Sequence, residues 1–94
     1  MLFMITCWDK PGREALRLET RSKHLEYLGR FKDRVFAVGP LQSDDGTAMI
    51  GSLLLMEFAD RQAAEAFTAD DPYARAGLFE SVIVRRWKKI MPAD

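Results

Sequence analysis

One cysteine, one histidine and four prolines in 94 residues leave this chain few reactive groups. A lone Cys7 cannot close a disulfide within the chain, and it cannot form a two-cysteine redox or zinc motif. That scarcity suits a reducing cytoplasm, which is the expected location. Long hydrophobic runs are also missing. The opening stretch Leu2 to Trp8 is apolar, but it lacks a basic leader and is too short for a signal peptide or a membrane span. Neither sign of charge dominates, because 14 basic residues are matched by 14 acidic ones. A general footprint for nucleic acid or an anionic membrane is therefore not expected. The one basic cluster, Arg85-Arg86 and Lys88-Lys89 around Trp87, reads as a solvated strand end. With His24 the only imidazole and Cys7 the only thiol, a metal site is not expected either.

What the sequence does contain is periodic apolar structure. Nearly half of the residues are apolar, which fits a packed domain, and residues 1–94 are read as one domain because a second core would not fit. Leu2 to Trp8 is a short strand that ends at the turn cluster Asp9-Lys10-Pro11-Gly12. A helix is expected from about Arg13 to Phe31, with Leu18, Leu25, Leu28 and the small Gly29 forming a stripe against the sheet. Arg34 to Val38 is the second strand, closed by Gly39-Pro40, and a turn through Asp44-Asp45-Gly46 leads to a third strand from Gly51 to Phe58. Asp60 caps a second helix that ends near Ala69 and offers Ala63, Ala64, Ala66 and Phe67 as its apolar face. Asp71-Pro72 starts a short helical turn ending around Gly77, and Phe79 to Ile90 is the last strand. The order βαββαβ is a ferredoxin-like α+β pattern, an antiparallel sheet with helices on one face.

The strands imply a partner. Leu2 to Trp8 and Leu53 to Phe58 are apolar on both alternating faces, whereas two helices cover only one. The uncovered face is expected to pack on a second copy of itself, giving a homodimer with a two-sheet, barrel-like core.

Candidate chemistry is confined to a few side chains. On a helical projection Arg21 falls between Leu25 and Leu28, inside the apolar stripe, with His24 on its flank. A cation so placed either snorkels outward or enters a polar pocket where an anion meets it. His24 has two readings, a hydrogen-bonded helix histidine without a task or an acid/base group. Asp71 before Pro72 is explained by capping, worth about 1 kcal/mol, without any catalytic role. Tyr73 is either packing or a hydrogen-bond donor to a ligand. Ser52 is a polar group at the head of a strand, with no Gly-x-Ser-x-Gly context to make it a nucleophile. Cys7 reads as an inert core residue.

These residues together resemble a known family. Arg21, His24 and Leu25 on the first helix, Gly39-Pro40-Leu41, Gly51-Ser52 and Asp71-Pro72-Tyr73 look like the signature of the YciI-like proteins. The resemblance covers nearly the whole chain. It implies the dimeric alpha-beta barrel superfamily, and a His and Asp pair that maps onto His24 and Asp71. One branch of that family is associated with the degradation of substituted aromatic compounds. On this basis the expected protein is a cytoplasmic homodimer acting on a small cyclic or aromatic molecule with no metal or organic cofactor. His24 would be the acid or base and Asp71 its orienting partner. Arg21 would hold an anionic oxygen, with hydrogen bonds from Ser52 or Tyr73. Two other readings stay open: a binding or accessory module in which no bond is broken, and cofactor-free oxygenation as in other members of the superfamily.

Overall fold

A computed structural model describes residues 1–93. Four strands, β1 (Leu2–Asp9), β2 (Val35–Gln42), β3 (Met49–Glu57) and β4 (Phe79–Arg86), form one antiparallel sheet in the order β2-β3-β1-β4. Helices α1 (Glu14–Arg30), α2 (Arg61–Asp70) and α3 (Pro72–Arg75) make the βαββαβ crossovers. The predicted ferredoxin-like α+β topology is the one observed.

Alternation along the strands decides which residues enter the core. In β1, Phe3, Ile5 and Cys7 are buried, and across the register they lie beside Met56, Leu54 and Ser52 of β3. Tyr27 and Leu28 of α1 and Ala64 and Phe67 of α2 close over this face. Tyr27 stacks on Phe67 at 5.1 Å and donates its hydroxyl proton to the Phe67 carbonyl at 2.8 Å, so the buried phenol keeps a partner. The opposite face presents Met4, Leu53, Leu55 and Ile83, and among the described residues no helix covers it. Ile83 is 40% exposed and Trp8 42%.

Both predicted caps form. Asp60 accepts from the Ala63 N–H at 2.8 Å and Asp71 from the Tyr73 N–H at 2.9 Å, with Pro72 at the first helical position. Gly77 follows α3 at φ +77°, a conformation that favours glycine. Glycine is required at residue 51 for another reason. A Cβ there would run into the Cys7 carbonyl oxygen of the paired strand. Gly51→Ala is expected to destabilise the protein by roughly 1–3 kcal/mol through overpacking, measured as a lower urea midpoint at an unchanged m-value.

Several expectations need correction. The face of α1 that packs inward carries Arg17, Thr20, His24, Tyr27 and Leu28, while Leu18 is 70% exposed, Leu25 46%, and Gly29 and Arg21 are exposed too. The apolar stripe lies to the side of the sheet, because the polar groups on the inward face find buried partners there. On α2, Ala66 is exposed and Thr68 is buried, its hydroxyl donating to the Ala64 carbonyl at 2.9 Å. β2 does not stop at Val38 but runs through Gly39-Pro40 to Gln42. Proline is tolerated there because β2 is an edge strand. β4 ends at Arg86 rather than Ile90, since β4 pairs only with β1 and the Trp87 N–H already reaches the Leu2 carbonyl at the start of that strand. Past that point no neighbouring backbone among the described residues continues the ladder. Trp87 instead packs against Phe36, with ring centroids 6.0 Å apart.

Candidate active site

The inward face of α1 carries polar residues in a repeat of seven. Arg17 and His24 stand two turns apart, about 10.5 Å along the helix axis, and both are buried. Burial of such groups is costly unless each is paired. Each is.

His24 pairs with Asp71. The ring Nδ1 lies 2.9 Å from Asp71 Oδ1, the same oxygen that accepts the Tyr73 N–H. Asp71 is 2% exposed and His24 7%. The carboxylate that caps α3 therefore also orients the imidazole, and both roles follow from its place at the head of that helix. With Nδ1–H donated to the carboxylate, Nε2 is the ring nitrogen left for exchange. The Tyr73 ring stacks on His24 with centroids 4.1 Å apart at 20°.

Arg17 pairs with Asp9 at the end of β1. Its Nε donates to Asp9 Oδ2 at 2.6 Å, and one Nη donates to Asp9 Oδ1 and to the Ser52 hydroxyl, each at 2.9 Å. This is a two-pronged pair of the kind a guanidinium makes best. Burial works against the Arg17 charge, but the hydrogen bonds and charge of Asp9 more than offset it, and the net effect is a raised pKa. The guanidinium carbon lies 4.6 Å from the Tyr73 ring centre. Tyr73 thus contacts both Arg17 and His24. Burial is the main cause that pushes the Tyr73 phenol up, Asp71 and Asp9 add to it, and Arg17 and Arg21 oppose them. The phenol therefore remains a neutral donor near pH 7.

These groups open on a cavity of about 580 Å³ between α1 and the β2–β3 side of the sheet, a volume typical of small-molecule sites. Arg17, Arg21, His24, Ser52 and Tyr73 are among its polar lining, with Glu14 and Thr47. Leu18, Leu25 and Leu28 line it on the helix side, and Val38, Pro40 and Leu54 on the sheet side. The apolar stripe of α1 is thus a cavity wall.

Of the residues singled out from sequence, His24, Arg21, Ser52 and Tyr73 meet at this cavity, and Asp71 stands behind His24. Arg21 lies at the exposed edge and is not the buried cation. Arg17 is, and neither it nor Asp9 was anticipated. Their signal was present: Arg17 is seven residues before the lone histidine, and Asp9 continues the buried alternation of Phe3, Ile5 and Cys7. Cys7 itself is 1% exposed, and its thiol is pushed up to about 12, chiefly by burial and next by Asp71. It stays protonated and unreactive at neutral pH. Among the described residues, no three His, Cys, Asp or Glu side chains gather as a metal site.

Sheet order, helix placement and a histidine–carboxylate pair on a cavity define an α+β protein of the dimeric alpha-beta barrel fold class. More narrowly, residues 1–88 match the YCII-related domain, and the chain belongs to that family. Protein YciI of Escherichia coli O6:H1 is 36% identical over 96% of this chain and 99% of its own. An uncharacterized protein of Haemophilus influenzae is 32% identical over the same shares. Among solved structures, the 5-chloro-2-hydroxyhydroquinone dehydrochlorinase TftG of Burkholderia phenoliruptrix AC1100, in complex with 2,5-dihydroxybenzoquinone, superposes with a TM-score of 0.90. It is 36% identical, and the match covers the whole of both chains. An antibiotic biosynthesis monooxygenase shares the fold at a TM-score of 0.54, with 16% identity over 95% of this chain and all of its own.

Proposed function

We propose that this protein is a cofactor-independent enzyme that uses the His24–Asp71 pair for acid/base chemistry on a small cyclic or aromatic molecule. The observation that carries this reading is a buried imidazole with Nδ1 committed to a carboxylate, lining a cavity of ligand size. Its Nε2 takes a proton from a saturated ring carbon that a neighbouring carbonyl makes acidic. The released electron pair either expels a leaving group from the adjacent carbon, an elimination, or shifts so that the proton returns elsewhere, an isomerisation. Asp71 offsets the charge that develops on the imidazole. Arg21 at the cavity edge attracts an anionic ligand, and Ser52 and Tyr73 contribute hydrogen bonds. A reducing cytoplasm suits the free, buried Cys7.

Kinship with TftG makes 5-chloro-2-hydroxyhydroquinone the first compound to try, followed by other hydroxylated and halogenated rings. Release of chloride, or a change in the ring spectrum, that depends on His24 supports the reading. A second reading rests on the low exposure of His24, which leaves room for a module that binds a ring compound and breaks no bond. A ligand recovered unchanged, equally well from wild type and from a His24 variant, decides for that module.

The functional unit in this reading is a homodimer formed through the uncovered sheet face, where Met4, Leu53, Leu55 and Ile83 await a partner. Leu55→Arg is expected to turn a dimer into a monomer or an aggregate, because two charges would meet across an apolar interface. Sedimentation at micromolar concentration reads this directly, and a monomeric wild type would discard the dimer.

A further inference from the structure

The Arg17–Asp9–Ser52 cluster has more than a structural use. An Arg–Asp pair made only for stability needs no opening, yet the Arg17 member of this one lines the cavity together with Ser52, with Asp9 behind it. The Arg17 Nε and one Nη donate to Asp9, that same Nη donates to Ser52, and Tyr73 also hydrogen-bonds the guanidinium. Arg17 is 5% exposed and Ser52 4%, so the donor fork is held in one orientation, with the Tyr73 ring against it. Fixed donors of this kind bind without reordering, which is where affinity for a small anion is gained. The other charges around the cavity are Arg21 and Glu14 at its edge, and the Asp71 carboxylate behind His24. No ion pair is found for Arg21 among the described residues.

We propose that Arg17, locked by Asp9 and Ser52, is the anion-binding pole of the cavity, and that the ligand is a ring compound carrying an ionised oxygen, a phenolate or enolate. The inference rests on the proposed ring-binding role of the cavity. Because Arg17 and His24 are two helical turns apart on one wall with Tyr73 against both, the ionised oxygen sits on the side of the ring away from the reacting carbon. The apolar residues Val38, Pro40 and Leu54 receive the flat face of the ring. Arg17 is thus a specificity-determining residue: it selects which rings enter and which way round they lie.

The test uses two probes of nearly equal shape, 4-nitrophenol, which ionises near neutral pH and reports it by colour, and 4-nitroanisole, which cannot ionise. Wild type is expected to bind the phenolate roughly tenfold or more tightly than the anisole, the usual gain from a hydrogen bond to a charged group. Bound nitrophenol should also ionise at lower pH than free nitrophenol. The paired variant Arg17→Gln with Asp9→Asn removes both charges together and leaves no buried ion unpaired. It should bind the two probes equally. If that variant does not fold, Arg17→Lys keeps the charge but loses the planar fork, and should weaken the preference several-fold. Equal binding of both probes by wild type overturns the anion pole and leaves the ring pocket standing. So does a preference that survives in the folded Arg17→Gln with Asp9→Asn protein or stays undiminished in Arg17→Lys, or one that vanishes only in Arg21→Gln. Binding of neither probe overturns the ring pocket and the anion pole together.

Discussion

Turnover by the His24→Ala variant is expected to fall by roughly 10²- to 10⁴-fold, the usual contribution of a positioned acid or base. The loss should appear in kcat more than in KM, because the ring is held by other walls of the cavity and His24 acts on the proton in flight. Asp71 permits a sharper version of the test. Its Oδ1 accepts from both the His24 ring and the Tyr73 backbone, so Asp71→Ala removes a helix cap and an orienting group at once. Asp71→Asn keeps a good capping residue and removes only the charge opposite the imidazole. Lower turnover at an unchanged melting temperature would assign the loss to that charge. Wild-type activity in His24→Ala would remove the mechanism.

Breaking the buried Arg17–Asp9 pair has the largest expected effect on stability. Arg17→Met leaves the Asp9 carboxylate enclosed with its counter-charge gone, and Asp9→Leu does the reverse to the guanidinium. Each side chain is only 6% exposed, so each single change should cost about 3–5 kcal/mol, a large share of the 5–15 kcal/mol that holds a domain of ordinary stability together. The double variant places two apolar side chains in the same volume and should recover most of that loss. A urea-unfolding cycle over the four proteins measures the coupling. Losses that add, or single losses below about 1 kcal/mol, would show that water reaches the pair and screens it.

Much of this molecule is legible in its local chemistry. Asp60 and Asp71 announce their helices because a carboxylate accepting a backbone N–H is a short-range event. The apolar run from Leu2 to Trp8 marks a strand with two apolar faces, and the βαββαβ order follows from the turns between the elements. His24 stands out by being the only histidine, and its pairing with Asp71 came through the resemblance of several spaced motifs to one family. Which side of α1 turns inward was not legible. Leu18 and Leu25 suggest one stripe by hydropathy, yet the sheet takes the neighbouring face with Arg17, Thr20 and His24.

The reason lies in partners that are distant in sequence. Arg17 can be buried only because Asp9 and Ser52, 8 and 35 residues away, reach it, and His24 only because Asp71, 47 residues on, does. A helical period fixes which residues share a side, but the cost of burying that side depends on what waits across it. The same distinction holds for Pro40, which ends a strand by local rule and is accommodated in one because β2 lies at the edge of the sheet. Local propensity, capping and alternation, all within a few residues, determined the elements and their order. Tertiary contact alone decided which polar groups went inside, and it turned the apolar stripe of α1 into the wall of a binding cavity.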